Sequence, residues 1–123
     1  MNYLIDTHIL LWYISGDSRV KSDTRDKIES NENLVFVSNA SLWEIAIKQS
    51  IGKLNLTVSL SELFDFLKQK GFDILEYDIN DLETLQTLPF YHQDPFDRII
   101  VSQAKTKFLE IITNDTMVMK YFS

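Results

Sequence analysis

Short apolar runs alternate with segments of helical periodicity along this chain. The apolar runs cover residues 2–6, 34–37, 74–77 and 110–113, a length typical of buried strands. Between them, apolar residues recur every three or four positions, as they do in helices with one buried face. This alternation predicts an α/β fold with a central parallel sheet flanked by α-helices. Residues 1–123 are too few for two domains, so we expect a single domain.

Capping residues indicate where the helices begin. The polar segment at residues 17–33 predicts one surface helix, and the last long helix should run from about residue 94 to 107. Its buried face would comprise Phe96, Ile99, Ile100, Ala104 and Phe108. The predicted helix starts are Thr7, Ser41 with Glu44, Ser59 with Glu62, Asn80 with Glu83, and Asp94 with Pro95.

Carboxylates stand where the predicted strands end. Asp6 closes the first strand, Asp115 lies just past the fourth, and Glu44 and Asp97 are placed in the first turns of their helices. Because ligands bind at the carboxyl edge of such sheets, these four acids are expected to converge there. Clustered carboxylates repel one another unless a cation compensates them. Oxygen ligands without a cysteine or histidine cluster suit Mg²⁺ or Mn²⁺, which can activate water and neutralise charge on a phosphate.

Each acid also has a purely structural explanation, and the residues alone do not decide between the two. Glu44 can form a capping box with Ser41 or an ion pair with Lys48. Asp94 can cap its helix, and Asp97 can interact favourably with the helix dipole. Asp115 can form an Asx-turn with Asn114. Asp6 is harder to explain this way, because a carboxylate at the end of an apolar strand is costly to bury unpaired.

Several neighbouring side chains are candidate accessories. The hydroxyls of Ser38 and Thr113 can hydrogen-bond a ligating carboxylate, and Arg98 can contact phosphate or an aspartate. His8 and His92 lack metal-ligand spacing, so we interpret both as structural or surface residues. We assign Trp12, Trp43 and the phenylalanines to the core rather than to base-stacking platforms.

Composition excludes several classes of site. The chain has no cysteine, which excludes disulfides, thiolate metal sites and a cysteine nucleophile, and favours a cytoplasmic protein. Its formal charge of −6 argues against a basic surface and predicts weak binding to bulk nucleic acid. No apolar run is long enough to span a bilayer, so we expect no membrane association.

Five short motifs resemble those of one nuclease family. They are Tyr3-Leu-Ile-Asp-Thr-His8, Ser38-Asn-Ala-Ser-Leu-Trp-Glu-Ile-Ala-Ile-Lys48 followed by Gly52-Lys-Leu54, Leu88-Pro89 with His92, Asp94-Pro-Phe-Asp-Arg98, and Thr113-Asn-Asp115. With these motifs in order over nearly its whole length, the chain resembles the PIN-domain ribonucleases. It is most similar to the VapC-type toxins of bacterial toxin–antitoxin pairs.

The resemblance implies a PIN-like fold and metal-dependent endoribonuclease activity on RNA, with Mg²⁺ or Mn²⁺ as cofactor. It maps the four family acids onto Asp6, Glu44, Asp97 and Asp115, each as catalytic and metal-binding residue. It marks Asp94 and Thr113 as possible accessories, in addition to Ser38 and Arg98, which the residues themselves suggest. It also implies a homodimer and an antitoxin protein whose C-terminal segment covers the active site.

Two alternatives come from other functional classes. The first is a catalytically silent PIN-like module that binds RNA or protein; the presence of all four acids weighs against it. The second is a phosphoaspartyl protein, such as a receiver domain or a haloacid-type phosphatase. That class is disfavoured because Asp6-Thr-His8 lacks a second nearby aspartate and no lysine follows a late strand.

Overall fold

Four parallel strands form the centre of the protein, whose computed structural model describes all 123 residues. The strands are β1 (Asn2–Ile5), β2 (Leu34–Ser38), β3 (Asp73–Leu75) and β4 (Glu110–Ile112), in the order β3-β2-β1-β4. Every neighbouring pair is parallel, as the alternation of strands and helices predicts. The α/β fold is therefore confirmed, although β3 begins and ends earlier than expected and β4 ends one residue earlier.

Seven helices surround this sheet. They are α1 (Thr7–Ile14), α2 (Ser22–Glu29), α3 (Asn39–Ser50), α4 (Leu60–Gln69), α5 (Ile79–Thr87), α6 (Pro95–Thr106) and α7 (Thr116–Met119), with a 3₁₀ turn at Lys120–Phe122. None of them combines the length and the apolar character that a membrane crossing requires.

Both faces of the sheet are buried. Tyr3 and Ile5 of β1 join a cluster of 12 buried apolar residues that includes side chains of α1, α2, α3 and α4. Leu4 points to the opposite face, where it packs with Ile99 and Ile100 of α6. This alternation places helices on both sides of the sheet, so that only its edges remain for a polar site.

Three helices begin at residues other than those expected. Asp6, not Thr7, caps α1; Ser38, not Ser41, caps α3; and Asp78, in a capping box with Asp81, replaces Asn80 at α5. An N-cap needs extended backbone, and α1 and α3 directly follow β1 and β2. The residue that ends each extended segment, Asp6 or Ser38, therefore becomes the cap. The expected starts at Ser59 with Glu62 and at Asp94 with Pro95 are confirmed. With α3 beginning at Asn39, Glu44 lies in the second helical turn instead of the first.

Phe108 does not belong to the buried face of α6, contrary to expectation. Helix α6 ends at Thr106, and Phe108 adopts a left-handed φ of 56° just beyond the helix. A residue in this conformation terminates the helical path, so its side chain leaves the apolar row. Phe108 is 92% exposed as a result.

Ser38 gives a direct test of how the sheet is joined to its helices. Its buried hydroxyl caps Ala40 N of α3 and donates to Gln103 Oε1 of α6 at 2.5 Å. We expect Ser38→Ala to lower the free energy of unfolding by about 2 kcal/mol, because it removes a cap and leaves a buried amide oxygen unpaired. Chemical denaturation measures this, with Ser61→Ala on the exposed face of α4 as the control. Equal stability losses in the two variants would contradict the assignment.

Candidate functional site

Asp6 lies at the carboxyl end of β1 and is 5% exposed. Its Oδ1 caps α1 by accepting from His8 N at 3.0 Å, and its Oδ2 accepts from Thr113 Oγ1 at 2.6 Å. Burial raises the pKa of this carboxyl group, but the contacts with His8 and Thr113 outweigh burial and leave the pKa below its usual value. Asp6 is therefore ionised and held in place from both sides.

Asp97 has the opposite electrostatic character. It stands in the first turn of α6, whose start is fixed by Asp94 Oδ1 accepting from Phe96 N and Asp97 N. Burial raises the pKa of Asp97 to about 7, and the charges of Asp6, Asp94 and Glu44 add to this effect. Asp6, Asp94 and Glu44 thus lie close enough to Asp97 to oppose its ionisation.

Asp115 and Asp97 both lie next to the side chain of His92. Asp115 Oδ1 caps α7 through Met117 N and Val118 N, while its Oδ2 lies 3.0 Å from His92 Nε2. Asp97 Oδ2 lies 3.1 Å from the same nitrogen. His92, Asp97 and Asp115 each offer a ligand atom within 4.8 Å of the others, whereas Asp6 and Glu44 lie outside this group.

Glu44 is buried on α3, where its two oxygens have different environments. Oε2 forms an ion pair with Lys48 Nζ at 2.8 Å, as the spacing of the two residues predicts. Oε1 is buried and has no hydrogen-bond partner. A buried carboxylate oxygen without a partner is costly, so this atom is suited to accept a ligand such as a cation.

The predicted accessory residues divide into two groups. Thr113 touches the acids directly, since its Oγ1 donates to Asp6 and accepts from Asp115 N at 3.0 Å. Asp94 caps α6 beside Asp97. Ser38 and Arg98 are not brought to the acids: Ser38 bonds Gln103, and Arg98 donates to Tyr121 Oη and to the carbonyl oxygens of Leu85, Leu88 and Pro89.

The core assignment is wrong for Trp43 and for Phe90, which is 70% exposed. Trp43 is 56% exposed instead of being a core residue, because it lies on the outer side of α3 and touches Phe96 edge-to-face at 5.2 Å. His92 is not an isolated structural residue, since it contacts two of the acids. The local sequence gives no signal for this contact, because Asp115 lies 23 residues further along the chain.

A cleft of about 220 Å³ opens at this edge, lined by Asp6, His8, Trp12 and Asp115 among others. A larger cavity of about 480 Å³ lies near the starts of β2 and β3, lined in part by Tyr13, Glu29 and Lys70. The larger cavity contains no group of acids, so chemistry favours the smaller cleft as the functional site.

Sequence comparison now identifies the family, because a PIN-domain model matches residues 3–121. The chain belongs to the PIN-domain family. No curated protein sequence matches it.

Solved structures share the fold of this PIN domain at low sequence identity. VapBC2 from Rickettsia felis, bound to a DNA fragment from its promoter, has a TM-score of 0.72 at 18% identity, covering 98% of this chain and 93% of that chain. FitAcB from Neisseria gonorrhoeae has a TM-score of 0.67 at 19% identity, covering 97% and 91%. A toxin–antitoxin complex from Klebsiella pneumoniae has a TM-score of 0.61 at 22% identity, covering 93% and 87%.

The raised pKa of Asp97 predicts how stability depends on pH in chelator. As the pH rises from about 4 to about 7, the unfolded chain releases this proton while the folded chain keeps it, so this group lowers stability across that window. Asp97→Asn should gain stability over the wild type in the same window, by at most about 1.4 kcal/mol per pH unit, and no further above it. Denaturation at several pH values measures the difference.

Asp26→Asn, at an exposed carboxylate of α2, is the matched control for this measurement. Its stability difference from the wild type should be nearly independent of pH in this range. A difference for Asp97→Asn that is equally flat would show that Asp97 is not held protonated by its surroundings.

Proposed function

We propose that this PIN domain is a divalent-metal-dependent endoribonuclease and the toxin component of a bacterial toxin–antitoxin pair. The observation that carries the proposal is the unpartnered buried oxygen of Glu44, at the same acidic edge as Asp97, whose pKa burial raises to about 7. Both features describe carboxylates arranged for a cation. PIN domains are typically nucleases, which gives this acidic edge its chemistry.

The donor set fits a hard divalent cation. Asp6, Glu44, Asp97 and Asp115 would hold Mg²⁺ or Mn²⁺, since these ions favour carboxylate oxygens. When bound, such an ion supplies Lewis-acid activation of water and neutralises the charge that develops on the phosphate during hydrolysis.

The residues of the chain prepare this site in three ways. The Thr113 hydroxyl bonds both the carboxylate of Asp6 and the backbone N–H of Asp115, and so fixes their relative position. The helix caps fix one oxygen of Asp6 and one of Asp115. Lys48 pairs with the buried Glu44 while about one-third of its side chain is exposed, which suits it to contact the RNA backbone as well.

The proposed partners follow from the same assignment. The structurally similar complex from Klebsiella pneumoniae is a toxin–antitoxin complex, which supports an antitoxin partner for this chain. Exposed apolar side chains on α3, namely Trp43 and Ile47, together with Ile51 at its C-cap, support a homodimer. An RNA substrate places the proposed activity in the cytoplasm.

Cleavage of total cellular RNA by the purified protein tests the activity. We expect discrete fragments in Mg²⁺ or Mn²⁺ and none in chelator. Asp6→Asn and Asp97→Asn should each lower the cleavage rate by at least about a hundredfold while retaining the fold, because each removes a proposed ligand. The matched control is Asp26→Asn, which makes the same change at an exposed acid of α2 and should cleave normally.

Full activity in both site variants would refute the assignment of the acids. A protein that neither cleaves RNA nor binds divalent cations in a calorimetric titration would instead be the silent binding module.

Lys48 provides a second test that does not depend on the RNA target. Lys48→Met keeps the aliphatic side chain but leaves the buried Glu44 without a cation, so we expect unfolding in chelator to become easier by about 1–3 kcal/mol. Excess Mn²⁺ should raise the melting temperature of this variant more than that of the wild type. Lys53→Met, at an exposed lysine with no ion pair, is the control. Identical behaviour of the two variants would argue against a cation requirement at Glu44.

A further inference from the structure

His92 is the side chain that connects two of the proposed ligands, although neither its type nor its spacing predicts that role. Its ring is about one-fifth exposed and its Nε2 lies 3.0 Å from Asp115 Oδ2 and 3.1 Å from Asp97 Oδ2. A histidine in this place has two incompatible uses. It can bind a cation through the lone pair of Nε2, or it can donate a hydrogen bond from Nε2–H.

The other ring nitrogen distinguishes between these uses. The backbone N–H of Asp94 donates to His92 Nδ1 at 3.1 Å. A backbone amide always carries its proton, so Nδ1 must be the acceptor and bears no hydrogen. The neutral ring therefore carries its only proton on Nε2, which makes Nε2 a donor toward the carboxylates.

The loop that carries His92 is fixed independently of the acids. His92 N donates to Tyr121 Oη at 3.0 Å, and Tyr121 Oη donates in turn to Pro89 O at 2.7 Å. Arg98, buried under the same loop, donates to Pro89 O and to Tyr121 Oη and lies 4.0 Å from the centre of the Phe90 ring. These contacts hold the backbone of His92 in place, so the ring needs no metal bond to keep its position.

We propose that His92 is a positioning residue: it holds Asp115 next to Asp97 by donating its Nε2 proton to Asp115 Oδ2, and it is not itself a metal ligand. The proposal rests on the proposed function in that these two carboxylates are taken as ligands. The hydrogen bond fixes Asp115, at the start of α7, to the loop that leads into α6, and the same nitrogen lies 3.1 Å from Asp97 Oδ2. His92 thereby sets the spacing of these two acids.

Nuclear magnetic resonance of the ¹⁵N-labelled full chain in chelator tests the tautomer. The chain has only two histidines, so the spectrum of His8→Gln assigns the ring of His92. We expect the neutral Nε2–H form, with Nδ1 unprotonated. A ring protonated at Nδ1 would overturn the proposal, and this measurement requires neither metal nor substrate.

Two further measurements test the role of the ring toward the cation. In the Mn²⁺-loaded protein, electron spin echo spectroscopy should detect no directly bound histidine nitrogen; such a coupling would make His92 a ligand and reject the proposal. In calorimetry, His92→Asn should bind Mn²⁺ about tenfold more weakly, because its amide is too short to reach the acids. His92→Gln, whose amide nitrogen can take the place of Nε2, should retain most of the affinity.

The outcomes separate this proposal from the proposed function. If the wild type binds no Mn²⁺, the metal site fails, while the tautomer still decides whether His92 donates to the acids. If the wild type binds Mn²⁺ and folded His92→Asn binds it equally well, the metal site stands and the positioning role is rejected. Circular dichroism of each variant confirms that an altered affinity is not a loss of folding.

Discussion

The repulsion among buried carboxylates at one edge of the sheet is the constraint around which this protein is arranged. Asp97 is 7% exposed, and burial together with the charges of Asp6, Asp94 and Glu44 raises its pKa to about 7. A structure that kept these acids only for stability would separate or neutralise them, since each unpaired buried charge costs free energy. Here the fold brings them together instead. Such a local sacrifice of stability is characteristic of functional sites, where binding of a ligand recovers it.

Helix capping and site formation are achieved by the same side chains. Asp6 gives one oxygen to the start of α1 and the other to Thr113, and Asp115 gives one oxygen to the start of α7 and the other to His92. From the sequence, capping and catalysis had to be weighed as competing explanations for each acid. In the folded chain they are compatible, because a carboxylate has two oxygens and a cap occupies one. The cap also restricts the side chain, so the second oxygen is held against Thr113 in Asp6 and against His92 in Asp115.

The sequence predicts the layers of this fold well because they follow from periodicity alone. The strands, the parallel sheet and the positions of Asp6 and Asp97 depend on which residues are apolar and where helices begin, and these features are local. What it could not predict arises from contacts distant in sequence or from backbone conformation. His92 becomes informative only when α7 brings Asp115 to its Nε2, 23 residues away in sequence. Phe108 has the correct spacing for a buried row, yet its left-handed φ of 56° turns it outward. Ser41 and Glu44 have the spacing of a capping box, but Ser38 already caps α3.

Of the lysines and arginines, only Lys48 pairs with an acid at this edge of the sheet. Arg98 stands next to Asp97 in the sequence, yet its guanidinium is directed to carbonyl oxygens and Tyr121 Oη. A guanidinium paired with these carboxylates would be a permanent and rigid counter-charge that a divalent cation could not easily replace. Lys48 is the basic residue that pairs with Glu44, and it does so from a flexible side chain that is 36% exposed. A lysine in this position balances the charge of Glu44 and can still move away into solvent. The buried Arg98 instead fixes the loop that carries His92. The rigid guanidinium thus has a structural role, and the flexible lysine pairs with the acid.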